Sequence, residues 1–311
     1  MKRESFGMIP KPKKVALLKN IYRNMDRYIK RVIYSITLEN YNAKFAKFAL
    51  RELEQQIKIF NLTIGDFWDN TIDPVYREVK IKVSSRIEHK FKKKKKINID
   101  HAGIIEKQVN RILRNTIKVN RSIVRDAEKY IGLLKYATDA LENMQLQEYP
   151  SPIFKDRVKT IIDEGAIYKM RLNEGHLMRM GIASRDEITA EVTTLYQEEL
   201  GFGAKLGING RRYDLVKYAD LVAKTEMRKA QTSATLNSCK EYKNDLVQFS
   251  MHAHMIPNYA DFDPCFPLEL EIFSISGESL KYPAVDGSNT PPIHPRCQHN
   301  FDPYDELLGT A

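Results

Sequence analysis

Apolar side chains spaced three and four apart dominate the first two thirds of this chain. Leu17, Leu18, Ile21, Met25, Tyr28, Ile29, Val32, Ile33 and Ile36 form one wide stripe, and Phe45, Phe48, Ala49, Leu53, Ile57 and Phe60 form a second. Such stripes predict helices that bury one face in a bundle, with a break allowed between Thr37 and Asn42. Asp73-Pro74 reads as a helix start, with aspartate as the cap and proline at the first helical position. Val75, Val79, Val83 and Ile87 carry that helix to the basic run Phe91–Lys96. Asp100 is placed to cap the next helix, whose apolar face runs from Ile104 and Ile105 through Val109, Ile112 and Leu113 to Ile117. The pattern continues over residues 126–146. After a break at Tyr149-Pro150, Ser151-Pro152 opens another helix, and Ser184 with Glu187 forms a capping box for one more.

The pattern changes after residue 200. Gly201 to Gly210 reads as a glycine-rich linker, and neither GxGxxG nor GxxxxGK[ST] occurs in it, which excludes the common phosphate-cradling loops. The following stretch, residues 211–245, reads as one amphipathic helix with Leu215, Tyr218, Ala219, Val222, Met227 and Ala230 inward. Glu226 on that helix is expected to be half-buried and paired with an arginine or lysine, and Cys239 to be a small buried apolar residue. Beyond it, Val247–Met251 and Glu271–Ser276 alternate like short strands between proline-rich loops. The predicted fold is mainly α, with an elongated N-terminal helical region and a small α+β C-terminal module. In domain terms this means a flexible basic arm over 1–14, helices over 15–200, the linker 201–210, the module 211–304 and a tail 305–311.

Composition narrows the partners. The 311 residues carry a formal charge of +10, which favours an anionic partner such as nucleic acid, a membrane surface or an acidic protein. Lys92, Lys93, Lys94, Lys95 and Lys96 repel one another, so they are expected to face solvent or an anion; a solvated helix end and a phosphate contact are the two readings. Nothing beside them resembles a base-reading motif. Three cysteines do not make a disulfide scaffold and point to a reducing compartment. The basic N-terminus lacks the apolar segment of a signal peptide, and no apolar run reaches the length of a membrane span.

The candidate chemistry lies in the module. Cys265, His294, Cys297 and His299 include the two ligand types zinc prefers, and a tetrahedral ion can hold loops that bury little surface. Three readings stand: a structural zinc, a cluster packed without metal, and a catalytic Cys–His pair. No nucleophile elbow or third orienting residue favours the last. His252 and His254 flank the first strand but fall short of the HExxH signature.

Several blocks occur in order: Lys224-Thr225-Glu226 on the helix, Asp263-Pro264-Cys265, Phe273-Ser274-Ile275-Ser276-Gly277, and Pro291-Pro292-Ile293-His294-Pro295-Arg296-Cys297-Gln298-His299. In this order they resemble the C-terminal region of tailed-phage minor capsid proteins, the minor capsid protein 2 group, and more distantly the head-morphogenesis domain of the Mu F-like and SPP1 proteins. The resemblance covers residues 212–304. Lys224 stands where the family has arginine, Gln298 replaces an arginine, and a second cysteine near Cys265 is missing. Thr225, Glu226, Asp263, Ser274, Gly277 and Pro295 carry over as structural motif positions.

The resemblance implies a virion protein of the phage head, assembled in the host bacterial cytoplasm, near the portal. Its implied partners are the portal protein, capsid or scaffold subunits and, non-specifically, packaged DNA, and it implies no enzymatic role. Two other classes remain as alternatives: a helical nucleic-acid- or scaffold-binding protein with a small Cys/His module, and a Cys- or metal-dependent hydrolase.

Overall fold

A computed structural model of the chain describes residues 12–36, 41–145, 205–208, 211–251, 264–294 and 297–310. The first eleven residues of the basic arm, the helices expected after Ser151 and Ser184, and His252, His254, Asp263 and Pro295 lie outside them. The architecture is mainly α-helical with a small β-sheet module. The helices are α1 (Pro12–Tyr34), α2 (Ala43–Lys90), α3 (His101–Gln145) and α4 (Leu215–Glu241). The strands are β1 (Lys205–Ile208), β2 (Arg211–Asp214), β3 (Leu246–Phe249), β4 (Ile272–Ser274), β5 (Phe301–Asp305) and β6 (Gly309–Thr310). Among the described residues no helix is long and apolar enough to cross a membrane.

The chain divides into two compact units, one of Met1–Ile21, Thr63–Asn115 and Val216–Ala311, the other of Tyr22–Leu62 and Thr116–Leu215. In the second unit, Tyr22, Met25, Ile29 and Ile33 of α1, Ala49, Leu53 and Ile57 of α2, and Ile123, Ala127 and Ile131 of α3 are buried. Asn42 caps α2, its Oδ1 accepting from the N–H of Lys44 at 2.9 Å and of Phe45 at 3.3 Å. Asn120 Nδ2 donates to Asn61 Oδ1 at 2.6 Å. The stretch expected to be a linker and helix start is instead a hairpin: β1 pairs antiparallel with β2, Ile208 opposite Arg211. The connecting dipeptide is Asn209-Gly210, the sequence that two-residue hairpin loops favour because both residues tolerate positive φ. The helix therefore begins at Leu215 rather than Arg211.

The first unit corrects two further expectations. Pro12 and Lys13–Lys14 belong to α1, because proline at the first helical position gives up only an N–H that has no intrahelical partner anyway. Pro74 does not start a helix; α2 runs through it without a break. Ile72, Val75, Tyr76 and Val79 around it are at most 5% exposed, and this burial on both sides holds the helix continuous. Proline removes the donor that would reach the carbonyl of Asn70, and Lys14 Nζ donates to that carbonyl instead, at 3.0 Å. Asp73, no longer a cap, pairs with Arg77 Nε at 2.6 Å.

Asp100 does cap α3, its Oδ1 accepting from the Gly103 N–H at 2.9 Å. A Cβ built at Gly103 would lie 2.3 Å from Asp100 Oδ2, so a larger residue there would make the capping carboxylate shift. Helix α4 turns Ala219, Ala223, Ala230 and Ala234 inward with Tyr218 and Met227, all buried. The larger sheet has the order β4-β3-β5-β6, with β3 antiparallel to both β4 and β5. Val247, Phe249, Phe273 and Phe301 form its core, and the Phe249 and Phe301 rings meet edge-on at 5.9 Å. The last described residues, Gly309–Thr310, pair with Tyr304–Asp305 and so belong to the sheet.

Candidate metal centre

The module places Cys265 just beyond the segment that leaves β3, at the start of a short 3-10 helix, Phe266–Leu268. Pro267 sets its backbone, and Leu270, with φ 66°, turns the chain so that its N–H donates to Phe249 O at 2.9 Å. This ties the Cys265 loop to the end of β3. On the other side, His294 O accepts from the Cys297 N–H at 3.1 Å, which holds the two residues together before β5.

The ligand atoms of Cys265, His294 and Cys297 all lie within 4.8 Å of one another, so these three residues form a cluster that could coordinate a metal ion. Both cysteines are buried, and their Sγ atoms are 3.6 Å apart. With Zn–S bonds of about 2.3 Å, the edge of a tetrahedron is about 3.8 Å, so the pair is already spaced as two ligands of one zinc. His299 is fully buried beside them: its Nδ1 is 3.5 Å from Cys297 Sγ, and its Nε2 is 2.7 Å from Glu269 Oε1. A carboxylate on the far ring nitrogen is the arrangement that fixes the tautomer and orientation of histidines around metals. Glu269 gave no sign in the sequence; only the fold brings it here.

The electrostatics favour a thiolate. The neighbouring Cys265 thiol and then His299 hold the Cys297 thiol down at about 4, against the opposing effect of burial. For His299, burial opposes the charge, yet Cys297 and Glu269 outweigh it and raise the imidazole above its usual range. Arg228 of α4 is 2% exposed, and burial lowers it to about 10, partly offset by the charge of Cys297.

The other motif residues have separate structural tasks. Thr225 Oγ1 donates back to Leu221 O at 2.8 Å. Glu226 is buried and accepts from Arg111 Nη2 at 2.5 Å and Lys229 Nζ at 3.0 Å. Ser274, Ile275 and Ser276 surround Asp245, which the sequence did not single out. Ser274 Oγ and the Ser276 N–H donate to its carboxylate at 2.5 and 2.7 Å. Partial burial works against that charge, but these bonds prevail and hold Asp245 below the usual carboxylate range. Gly277, at φ 75°, lets its own N–H reach Ser274 Oγ at 3.0 Å.

The lysine run divides by function. Lys93 Nζ donates to Asn244 Oδ1 at 2.7 Å and lies 3.3 Å from Asp305 Oδ2. Lys95 Nζ is 2.6 Å from Glu241 Oε1, and the N–H groups of Lys96 and Ile97 donate to the Glu241 carbonyl at 2.8 and 3.0 Å. The C-terminus of α4 thus receives backbone donors and an ammonium together, which its partial negative charge favours. His101 Nε2 also reaches Glu241 Oε1, at 2.9 Å, and Tyr76 OH lies 2.8 Å from His101 Nδ1. Burial opposes the Glu241 charge, but Lys95 and His101 keep its carboxyl below the usual range. The side chains of Lys92, Lys94 and Lys96 are exposed, and that of Lys95 is 43% exposed beside its contact with Glu241.

Compared with known protein families, curated proteins and solved structures, the chain matches none.

Proposed function

We propose that this chain is a minor structural protein of a tailed-phage head, acting in head morphogenesis near the portal, with a C-terminal module held by one structural zinc. The reading is carried by one observation: the blocks that resemble the minor capsid group fall within one compact unit, and each has a holding task there. Glu226 ties α4 to α3, Ser274 bonds Asp245 and is itself held by the Gly277 N–H, and Cys265, His294 and Cys297 converge. Zinc suits the donor set, since two thiols at 3.6 Å and an imidazole match its ligand preference. When bound, the ion would crosslink the loop before β4 to the loop before β5. His299, oriented by Glu269, would steady Cys297. The excess of positive charge suits a surface facing packaged DNA, through phosphate contacts that weaken with salt. Portal and capsid or scaffold subunits are the protein partners, and the virion the destination.

The experiment is co-expression with a phage portal and capsid set followed by sedimentation of mature heads. The chain is expected to travel with heads and portal in few copies per particle. A chain that stays entirely at the top of the gradient, yet retards DNA on a low-salt gel, would overturn the head role in favour of a free binding module.

A further inference from the structure

The second unit carries a groove of about 720 Å³ between α2 and α3 that the phage reading does not use. Its floor is apolar: Ile57 is buried, and Ile117 and Val124 are half-buried. Its rim is cationic, with Lys58 from α2 and Lys118, Arg121 and Arg125 from α3, all four exposed. Among the described residues lining it, Glu54 and Glu128 are the carboxylates, so cations outnumber acids two to one there.

The spacing is informative. Residues 118, 121 and 125 are at i, i+3 and i+7, so they project from one face of α3 over about 10 Å of helix axis. A partner with carboxylates repeating at the same intervals would meet each in turn. An apolar floor between two helices is what a third helix fills with its own apolar stripe. Duplex DNA offers phosphates to the rim but nothing apolar to the floor.

We infer that this groove is a docking site for an acidic amphipathic helix of a protein partner, which lays its apolar stripe on Ile57, Ile117 and Val124 and its carboxylates against Lys118, Arg121 and Arg125. The inference stands on the groove alone and holds whether or not the chain belongs to a phage head.

The test uses the full chain and three fluorescein-labelled probes: a helical peptide of about 20 residues with leucines at i, i+3 and i+7 flanked by glutamates, the same peptide with lysines for glutamates, and a mixed-sequence DNA duplex. By fluorescence anisotropy the acidic peptide is expected to bind, and the lysine peptide not to. The double variant Arg121→Glu/Arg125→Glu should weaken acidic-peptide binding at least about tenfold. The double variant Lys92→Glu/Lys94→Glu, with the same change in net charge, should leave it unaltered. Circular dichroism checks that each variant is folded, and Lys58→Glu on the other helix gives an independent reading if the first is not. Equal binding of both peptides, equal losses in the two double variants, or binding of the duplex alone would each overturn the proposal.

Discussion

Arg111 and Glu226, 115 residues apart in the chain, meet with Nη2 2.5 Å from Oε2 and join α3 to the inner turn of α4. The Glu226 side chain is 11% exposed and that of Arg111 40%, so water screens one end of the pair. Glu226→Ala is therefore expected to destabilise by about 1–2 kcal/mol. Arg111→Ala should cost less, about 1 kcal/mol, because Lys229 still holds the carboxylate. Urea denaturation of both variants checks the order; a larger loss for Arg111→Ala would show that Lys229 contributes nothing.

The metal site makes a separate prediction. Elemental analysis of the purified chain should find about one zinc per molecule. Cys265→Ala and Cys297→Ala should lose the zinc and lower the melting temperature, whereas Cys239→Ala should keep it. Cys239 lies buried on α4 and is not one of the three clustered ligand residues. A metal-free chain whose melting temperature ignores chelators would remove zinc from the account.

The lysines are expected to separate in two assays. Lys95→Ala should destabilise by about 1 kcal/mol through loss of the Glu241 contact, while Lys94→Ala stays within about 0.5 kcal/mol of the parent. If any phosphate contact exists here, the exposed Lys92, Lys94 and Lys96 carry it. Alanine at those three should flatten the salt dependence of DNA binding without a change in melting temperature. The opposite pattern would mean that Lys93 and Lys95 leave their internal partners.

Asp302 gives a pH signature. Burial raises its carboxyl to about 7, with Arg86 opposing. The folded state then holds a proton that the unfolded chain, titrating near 4, has given up. Stability from this group is full below about pH 4 and is lost as pH rises toward 7, by at most about 4 kcal/mol. Asp302→Asn should therefore lose less stability than the parent between pH 5 and pH 8, as read by thermal melts. Parallel curves would show that Asp302 titrates normally.

Pro74 and Lys14 should be coupled. Lys14→Ala removes the donor to the Asn70 carbonyl and is expected to cost about 0.5–1 kcal/mol. In a Pro74→Ala background the restored N–H takes that carbonyl, and the lysine change should become nearly silent. Equal losses in both backgrounds would show that the carbonyl needs no side-chain partner.

Much of the helical part was legible because burial there is periodic: Leu18, Met25, Ile29 and Ile33, and Val75 to Ile87, are observed core positions, whereas Leu17, Phe45 and Phe48, read as part of the stripes, are exposed at their edges. The Asp100 cap and the pairing of Glu226 were legible from residue type and position. Pro74 misled because local preference for a helix start lost to tertiary burial on both sides of it. The β1–β2 hairpin carried its signal in Asn209-Gly210, but Gly201, Gly203 and Gly207 before it made the stretch read as linker. Strand β5 gave almost none: Phe301-Asp302-Pro303-Tyr304-Asp305 does not alternate cleanly, and its Pro303 argues against a central strand. The Cys/His cluster was visible as composition. Glu269, Asp245 and Arg228 were not, since each acts through contacts that only the fold creates.

The position of β5 bears on how the protein is made. Strand β3 lies between β4 and β5, and Val247 pairs with Phe273 on one side and Pro303 on the other. During synthesis β3 and β4 emerge first, and one flank of β3 stays open until Phe301–Asp305 have left the ribosome. Until then Val247 and Phe249 are a sticky edge inside the cell, and a delay in that last stretch leaves the nascent chain open to chaperones or to pairing with a neighbouring copy.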